Sequence, residues 1–335
     1  MLEIWLRYDL RNPSWVGIKS TTLAAVALEQ VEWADKQGFH TIQLPEHHCS
    51  EDNYNPSPLM LGAAMASRTS NLRIQPSAIL LPLHDPVRIA EDCAILDVIS
   101  NGRLDVTIGL GYVPEEFAMF GIDLKDRAQL IDAKLKVLKR AFTGETFDYD
   151  GRTVHVTPPP VQRGGPRLWI GGSLKATARR AAELGDGYYP MVNKPELIQA
   201  YRDACAELGK EPGRIVDVTG PRHIHISRDP DAAWARIAPH ALHETNAYAA
   251  YAAKLGQTSN FKHAENADDL WASGGYQVLT PEDGLALLRK QRDLGRSVIL
   301  APLLAGLDPE VSWESLELIA SEIIPQLQAD DAVVA

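Results

Sequence analysis

Residues 72–110, LRIQPSAILLPLHDPVRIAEDCAILDVISNGRLDVTIGL, hold one apolar run at each end and a helical pattern between them. Each run has the length of a buried strand. Asp85-Pro86 is a typical helix start, because aspartate caps free amides and proline suits the first helical position. Asn101-Gly102 is a typical helix end. The stretch therefore predicts a strand–helix–strand unit with parallel strands.

The same alternation extends along the whole chain. We find eight strand candidates, each followed by a helical pattern, and one of them spans 216–227. This number of units favours an α/β fold of the (β/α)8 TIM-barrel type with insertions, as a single domain over 1–335, rather than an open doubly wound sheet. Two stretches interrupt the pattern and are predicted insertions: a β-hairpin region at about 146–166 and a polar, glycine-rich loop at about 256–277.

The composition argues against several classes of protein. Apolar residues make up 45% of the chain, which is enough for a large core. The net charge of −11 disfavours nucleic acid and anionic membranes as partners. Three cysteines without a CxxC spacing disfavour disulfides or a zinc site. The first residues resemble a strand more than a signal peptide, so we expect a cytoplasmic protein with no metal and no membrane partner.

The end of the second strand candidate carries Glu46, His47 and His48. In a barrel of this type, chemistry takes place at the carboxyl ends of the strands. Histidine near neutral pH can act as a general base or as a hydrogen-bond donor. A polar loop in which Glu46 only fixes the strand end is the open alternative. A metal site is disfavoured, since neighbouring residues on a strand point in opposite directions.

Three further strand ends carry candidates of lower specificity. Ser77 could face the barrel mouth, although its surroundings favour a buried strand and turn. Gly109 and Gly111 would let a flat ligand approach the backbone, but such pairs more often form simple turns. Gly171-Gly172-Ser173 opens a helix, with Ser173 as the predicted N-cap, and the free amides there could bind an anion. An ordinary capped turn is the alternative, and Tyr112 could line a pocket or merely pack.

Taken in order, these stretches resemble the bacterial luciferase-like flavin-dependent monooxygenase family. The matching segments are LPEHH at 44–48, AILLPLHDPVR at 78–88, LDVISNGRLDVTIGLGY at 96–112, WIGGS at 169–173 and LGDGY at 184–188. The ordered set is specific, whereas no single segment is. The similarity is clear over about 1–195 and weaker, though compatible, beyond that.

The resemblance implies a TIM-barrel oxidoreductase that takes reduced FMN from a separate flavin reductase and uses O2 to oxidise a small-molecule substrate. By position, His47 corresponds to the family's active-site histidine. Apart from the resemblance, Glu46, His48 and Tyr112 are our candidate substrate-pocket residues. The resemblance also implies a homodimer through the second and third helices. The cofactor-binding residues that it implies are Pro76 and Ser77 at a non-proline cis peptide under the flavin ring, Gly109 and Leu110 beside the ring, and Gly171, Gly172, Ser173 and Thr177 around the phosphate.

One departure from the family keeps the cofactor open. Leu110 stands where luciferase has an arginine that pairs with the phosphate, and Lys175 could replace that charge. A deazaflavin, which supports hydride transfer, is therefore an alternative, and the protein would then be a dehydrogenase or reductase. No basic rim for a deazaflavin tail is evident, so FMN is favoured. A non-enzymatic flavin-binding barrel is the remaining alternative, and the segments 113–122 and 256–277 are expected to shape the substrate pocket.

Overall fold

The computed structural model describes residues 1–192, 194–254 and 261–334. Its strands, in chain order, are β1 Ile4–Arg7, β2 Thr41–Leu44, β3 Arg73–Leu80, β4 Asp105–Gly109, β5 Phe147–Tyr149, β6 Arg152–Val154, β7 Arg167–Gly171, β8 Gly187–Tyr189, β9 Arg214–Ile215, β10 His223–Ile226, β11 Tyr276–Leu279 and β12 Val298–Leu300.

The helices alternate with these strands over most of the chain. They are α1 Ser20–Ala34, α2 Pro58–Ala66, α3 Pro86–Ser100, α4 Pro114–Met119, α5 Arg127–Ala141, α6 Lys175–Leu184, α7 Pro195–Glu207, α8 Pro230–Lys254, α9 Ala267–Ala272, α10 Pro281–Asp293, α11 Pro309–Leu318 and α12 Ile324–Val334. None of the helices formed by the described residues is both long and apolar enough to cross a membrane.

The first of two compact units comprises Met1–Gln43, Ser50–Asn55 and Val218–Ala335. Within it, β1 pairs in parallel with β12 on one side and with β2 on the other. A second parallel pair joins β10 and β11. The strands of both ladders are mostly buried, as expected for parallel strands covered by helices.

The second unit comprises Leu44–Cys49 and Pro56–Asp217. Its strands β3, β4, β7, β8 and β9 form a parallel sheet in that order. The predicted hairpin is present as the antiparallel pair of β5 and β6. Asp150 and Gly151 both have positive φ at its turn, which is typical of a two-residue hairpin loop.

The stretch that predicted the fold forms the elements expected of it. The Asp85 side chain caps α3 by accepting hydrogen bonds from the amides of Val87 (2.8 Å) and Arg88 (3.2 Å). Asn101 ends the helix in the left-handed conformation, with φ of 54°. The strands β3 and β4 on either side of α3 pair in parallel. Local capping chemistry therefore fixes both ends of this unit.

The prediction of a loop over 256–277 was wrong for its second half. The residues from 267 onward form α9 and then the start of β11. The Asn266 side chain caps α9 by accepting from the amides of Asp268 (2.9 Å) and Asp269 (3.0 Å). A helix of six residues is too short to show helical periodicity in a polar sequence. Residues 256–260 lie outside the described residues.

The predicted strand over 216–227 was too long, because only the four residues of β10 are in strand conformation there. Gly220 has φ of +154°, and Pro221 follows it. Proline has no N–H to donate to a ladder, and glycine in this conformation interrupts an extended chain. The division into one domain with two insertions stays a prediction.

Candidate functional site

The segment after β2 belongs to the second unit and buries three polar side chains, those of Glu46, His47 and His48. Their relative exposures are 3%, 7% and 7%. The Glu46 and His48 side chains contact each other, whereas His47 contacts a different partner. This follows from extended backbone, in which residues i and i+2 share a side and residue i+1 points away. The segment is thus a buried hydrogen-bonded cluster, in which a Glu46–histidine contact is present.

His47 forms a dyad with Glu116, a residue of α4 that is fully buried. The His47 Nδ1 lies 2.7 Å from the Glu116 Oε1, and the His48 amide donates to the same oxygen at 2.9 Å. A carboxylate accepting from Nδ1 selects the imidazole tautomer whose lone pair is on Nε2. The Tyr112 ring meets the His47 ring edge-on, with centroids 5.7 Å apart. The geometry is that of an oriented base.

Glu46 accepts hydrogen bonds through both of its oxygens. The Oε1 atom lies 2.8 Å from His48 Nε2 and 2.6 Å from His84 Nε2, and Oε2 accepts from the Leu80 amide at 3.1 Å. Burial by itself would raise the pKa of Glu46, but the hydrogen bonds from His48 and His84 outweigh it, so the net shift of this pKa is downward. Glu46 is therefore an anion held between two imidazoles.

The ends of β3 and β4 approach each other closely. The pairing register shifts between Ser77 and Ile79, so that Ala78 forms a bulge, and Ser77 and Ala78 are the half-buried residues in an otherwise buried stretch. A Cβ atom on Gly109 would lie 2.8 Å from the Cβ of Ala78. Only glycine fits there, which gives Gly109 a packing reason independent of any ligand.

The prediction of a cis peptide at Pro76-Ser77 was wrong by one residue. The non-proline cis bond joins Ser77 and Ala78 instead. Pro76 is a buried residue within β3, whereas the cis bond coincides with the register shift that the bulge introduces. The order of motifs locates such a feature only to within a residue, because a bulge adds one unpaired residue to the strand.

The turn formed by residues 171–173 follows β7 and precedes α6. Gly172 has φ of +146°, its amide donates to the Tyr189 carbonyl (3.2 Å), and its carbonyl accepts from the Tyr188 hydroxyl (2.8 Å). These bonds attach the turn to β8 and leave the half-buried Ser173 beside the start of the helix. The first amides of a helix have no intrahelical acceptor, so the turn fits an anionic ligand.

The prediction of Ser173 as N-cap was wrong, because the N-cap of α6 is Leu174 and no side chain caps this end. The helix begins one residue later than the sequence pattern indicates, so the Ser173 hydroxyl is not held by the helix amides. Thr177 is buried, and its side chain would be 3.0 Å from a Cβ on Gly172. Lys175, the first residue of α6, is exposed. These residues fit a phosphate group through backbone amides, a hydroxyl and one flexible cation.

The sheet aligns these strand ends side by side. Leu80 lies opposite Gly109, and Ile108 lies opposite Ile170. Adjacent strands are about 4.8 Å apart, so the bulge at Ala78, the Gly109 end and the 171–173 turn form one continuous edge. A flat molecule with a phosphate tail is the kind of ligand such an edge can accept.

The family model that describes luciferase-like monooxygenases matches residues 11–290 of this chain. The chain belongs to the luciferase-like monooxygenase family. The resemblance that the ordered motifs indicated is thereby confirmed, and the match extends well beyond residue 195, where the motifs become sparse.

One curated relative of this luciferase-like chain aligns over most of its length. Limonene 1,2-monooxygenase of Rhodococcus erythropolis is 26% identical over 328 residues, which cover 90% of this chain and 81% of the relative. The chain spans only about half the length of several other curated relatives that it matches.

Two solved structures match the luciferase-like chain nearly end to end. Monooxygenase RslO1 from Streptomyces bottropensis has a TM-score of 0.78 and 24% identity, and the match covers 97% of this chain and 100% of that one. The oxygenating constituent of 3,6-diketocamphane monooxygenase from the CAM plasmid of Pseudomonas putida, solved with FMN, has a TM-score of 0.71 and 18% identity, with coverage of 97% and 98%. The predicted α/β TIM-barrel fold is confirmed.

Two residues of this luciferase-like site were missed at the level of sequence. Glu116 lies in the segment 113–122, which we interpreted only as pocket-shaping, and His84 lies in a matched segment but received no role. Glu116 and its partner His47 are 69 residues apart in the chain, and His84 and its partner Glu46 are 38 residues apart. A signal was present in the acidic pair Glu115-Glu116 shortly after a glycine-rich strand end, but local patterns do not encode such distant contacts.

A second polar cluster lies in the first unit and was not predicted. Arg11 is fully buried between the rings of Tyr54 and Tyr248, which its guanidinium carbon approaches to 4.5 and 4.8 Å, and it forms an ion pair with Asp52. Burial by itself would raise the pKa of Asp52, but the hydrogen bond from His243 and the charge of Arg11 lower it well below its usual range. The cluster is charge-compensated and holds the segment after β1 to the segment containing Asp52.

Proposed function

We propose that this chain is a flavin-dependent monooxygenase that uses reduced FMN and O2 to oxidise a small organic substrate. The observation that carries the proposal is the buried dyad of His47 and Glu116. It lies in the same compact unit as the edge formed by Ala78, Gly109 and the 171–173 turn. Membership of the luciferase-like family and the monooxygenase named among the relatives support this function.

Reduced FMN, when bound, would supply the two electrons that activate O2. The chain itself would position the cofactor and control protons. Because Glu116 engages Nδ1 of His47, the Nε2 atom is the position at which His47 would accept or return a proton. The amides at the start of α6, with Ser173 and Lys175, would hold the phosphate, and Thr177 would support the turn. Leu110 and Gly109 would flank the ring. Glu46 and His48, whose side chains contact each other, would fix the backbone on either side of His47.

A separate flavin reductase is the proposed source of reduced FMN. The Pseudomonas putida protein with the same fold is described as an oxygenating constituent, which supports a two-component arrangement. The sequence of this chain has no GxGxxG dinucleotide-binding motif.

The test combines cofactor binding with oxygen incorporation. The purified chain is titrated anaerobically with reduced FMN and, in parallel, with a reduced deazaflavin. It is then given isotopically labelled O2, a flavin reductase with NADH, and a panel of cyclic ketones and monoterpenes. Tight FMN binding and one labelled oxygen atom per product are the expected results. Preference for the deazaflavin, with hydride transfer and no labelled product, would indicate a dehydrogenase instead. A lack of flavin binding would contradict the proposal altogether.

Gly172→Ala is expected to weaken FMN binding by about tenfold, or 1.4 kcal/mol, and to leave riboflavin binding unchanged. A Cβ there would be 3.0 Å from Thr177 in a backbone conformation that favours glycine, so the turn must shift. Riboflavin lacks the phosphate, so fluorescence titration with both flavins isolates the contribution of the turn. Gly151→Ala is the matched control, since that glycine also has positive φ but open space around it. Equal losses for both flavins would contradict a phosphate site.

The proposed homodimer would use the exposed apolar surface of α2 and α3. Ile95, Val98 and Ile99 share one helix face and are 43–45% exposed, and Met60 on α2 is 76% exposed. Val98→Glu is expected to convert a dimer into monomers because it would bury a charge at the interface. Light scattering coupled to gel filtration measures this, with Leu294→Glu as the control at an exposed leucine of the other unit. A wild-type monomer, or a Val98→Glu dimer, would contradict this interface.

A further inference from the structure

Three potential metal-ligand atoms converge in the second unit, on the side of the strand end opposite to His47. They are Oε1 of Glu46, Nε2 of His48 and Nε2 of His84, and all three lie within 4.8 Å of one another. Both imidazole nitrogens are already in contact with the same carboxylate oxygen, at 2.8 and 2.6 Å. Three potential ligand atoms within this distance, on side chains that are buried or half-buried, are close enough to share one cation.

The sequence explains why these three side chains converge. Glu46 and His48 are two residues apart on extended backbone, so they project to the same side, whereas His47 between them projects to Glu116. His84 follows the 3-10 turn Leu81–Leu83 at the end of β3 and enters from another loop. The sequence disfavours a metal site because adjacent residues on a strand point in opposite directions, whereas Glu46 and His48 are two residues apart and His84 is brought in by the fold.

We propose that Glu46, His48 and His84 bind one Zn²⁺ ion. Two imidazoles and one carboxylate are a donor set that zinc uses in sites with an open fourth position. Around a tetrahedral zinc, ligand atoms are about 3.3 Å apart, given bonds of about 2.0–2.1 Å. The two imidazole nitrogens therefore need to move away from the carboxylate oxygen by about 0.5 and 0.7 Å, from 2.8 and 2.6 Å, while they stay within 4.8 Å of each other. The side chain of His84 is 22% exposed, which gives an ion a path of entry.

The surroundings of the cluster would orient its ligands and position the neighbouring backbone. Glu46 Oε2 accepts from the Leu80 amide, which would keep the carboxylate oriented while Oε1 coordinates the ion. The ring of Phe120 packs against both imidazoles, with centroids 4.8 Å from His48 and 6.0 Å from His84. An ion held there would fix the residues immediately before and after His47, so zinc would act as a positioning element and not as the redox centre.

Calorimetry on the full, tag-free chain after chelator treatment tests the site, with ZnCl₂ as the probe. One Zn²⁺ per chain is expected, with a Kd at least about 100-fold weaker in His84→Ala. His155→Ala is the matched control, because His155 is exposed, directly follows β6 and lies outside the cluster. Co²⁺ should give the visible spectrum of a tetrahedral site in the wild type and lose it in the His84 variant.

A second variant guards against misfolding. Glu46→Gln keeps the size of the side chain and can still accept hydrogen bonds, and circular dichroism checks its fold. It too should lose the zinc affinity. No stoichiometric binding by the wild type, or equal affinity in the wild type and both cluster variants, would overturn the proposal, and the latter result would mean an adventitious surface ion only. None of these readouts depends on flavin chemistry, so they stand or fall separately from the proposed monooxygenase.

Discussion

His47→Ala is expected to lower the turnover number by about 10²–10⁴-fold, the usual contribution of a positioned general acid or base. The variant should retain its affinity for FMN, because the phosphate turn at 171–173 is built from other strands. The measurement is steady-state turnover of the first substrate oxidised in the panel, together with an FMN titration of the same preparation. Losses in both would indicate a general collapse of the site.

The companion variant Glu116→Gln separates chemistry from packing. An amide still fills the buried position on α4 and can accept from Nδ1, but it no longer stabilises an imidazolium at His47. We expect a smaller loss of turnover than in His47→Ala and a displaced pH–rate profile, which a purely structural role would not produce. His155→Ala, at an exposed histidine, is the control. Full turnover by His47→Ala with flavin bound would remove His47 from the mechanism.

The parts of the fold that could be predicted are those set by neighbouring residues. The Asp85 cap, the left-handed end at Asn101 and the hairpin turn at Asp150-Gly151 each follow from the chemistry of one or two residues. Elements shorter than two helical turns, such as α9, carry too few residues to produce a period. The predicted start of α6 was one residue too early, because a serine after two glycines resembles an N-cap even when its hydroxyl does not cap the helix.

Only one residue of the His47–Glu116 dyad could be predicted from the sequence. His47 lies in a recognisable ordered set of motifs, but its partner Glu116 is 69 residues away and on another element. Likewise, His84 reaches Glu46 only because β3 ends in a 3-10 turn that directs its side chain back. Contacts of this kind depend on tertiary packing, and a single sequence has no local signal for them. The proton-transfer geometry therefore required the structure.

Acidification from neutral pH to about pH 4.5 is expected to destabilise the fold by about 2–3 kcal/mol for each of two histidines. His223 and His225 lie two residues apart on β10, with their rings stacked at 6.2 Å, and they are 2% and 3% exposed. Burial lowers the pKa of His223 to about 3, with a further contribution from the Arg7 charge. Burial also lowers the pKa of His225 to about 3, and the neighbouring His223 adds to this shift.

The sign of the effect follows from where the protons bind. An unfolded histidine takes up a proton as the pH falls through about 6.5, whereas the folded chain keeps both rings neutral down to about pH 3. The unfolded state therefore binds more protons in this window. The stabilisation is complete above about pH 6.5 and is lost progressively as the pH falls below it.

Urea unfolding at a series of pH values measures this dependence. Replacing both His223 and His225 by leucine should flatten the fall in the free energy of unfolding between about pH 6.5 and 4.5, since no proton uptake then favours the unfolded chain. It should also remove ring nitrogens that have no hydrogen-bond partner among the described residues, namely both of His223 and Nε2 of His225. His263→Leu, at an exposed histidine, should leave the slope unchanged. If the double variant loses stability between about pH 6.5 and 4.5 as steeply as the wild type, His223 and His225 are not the source of the acid sensitivity in this window.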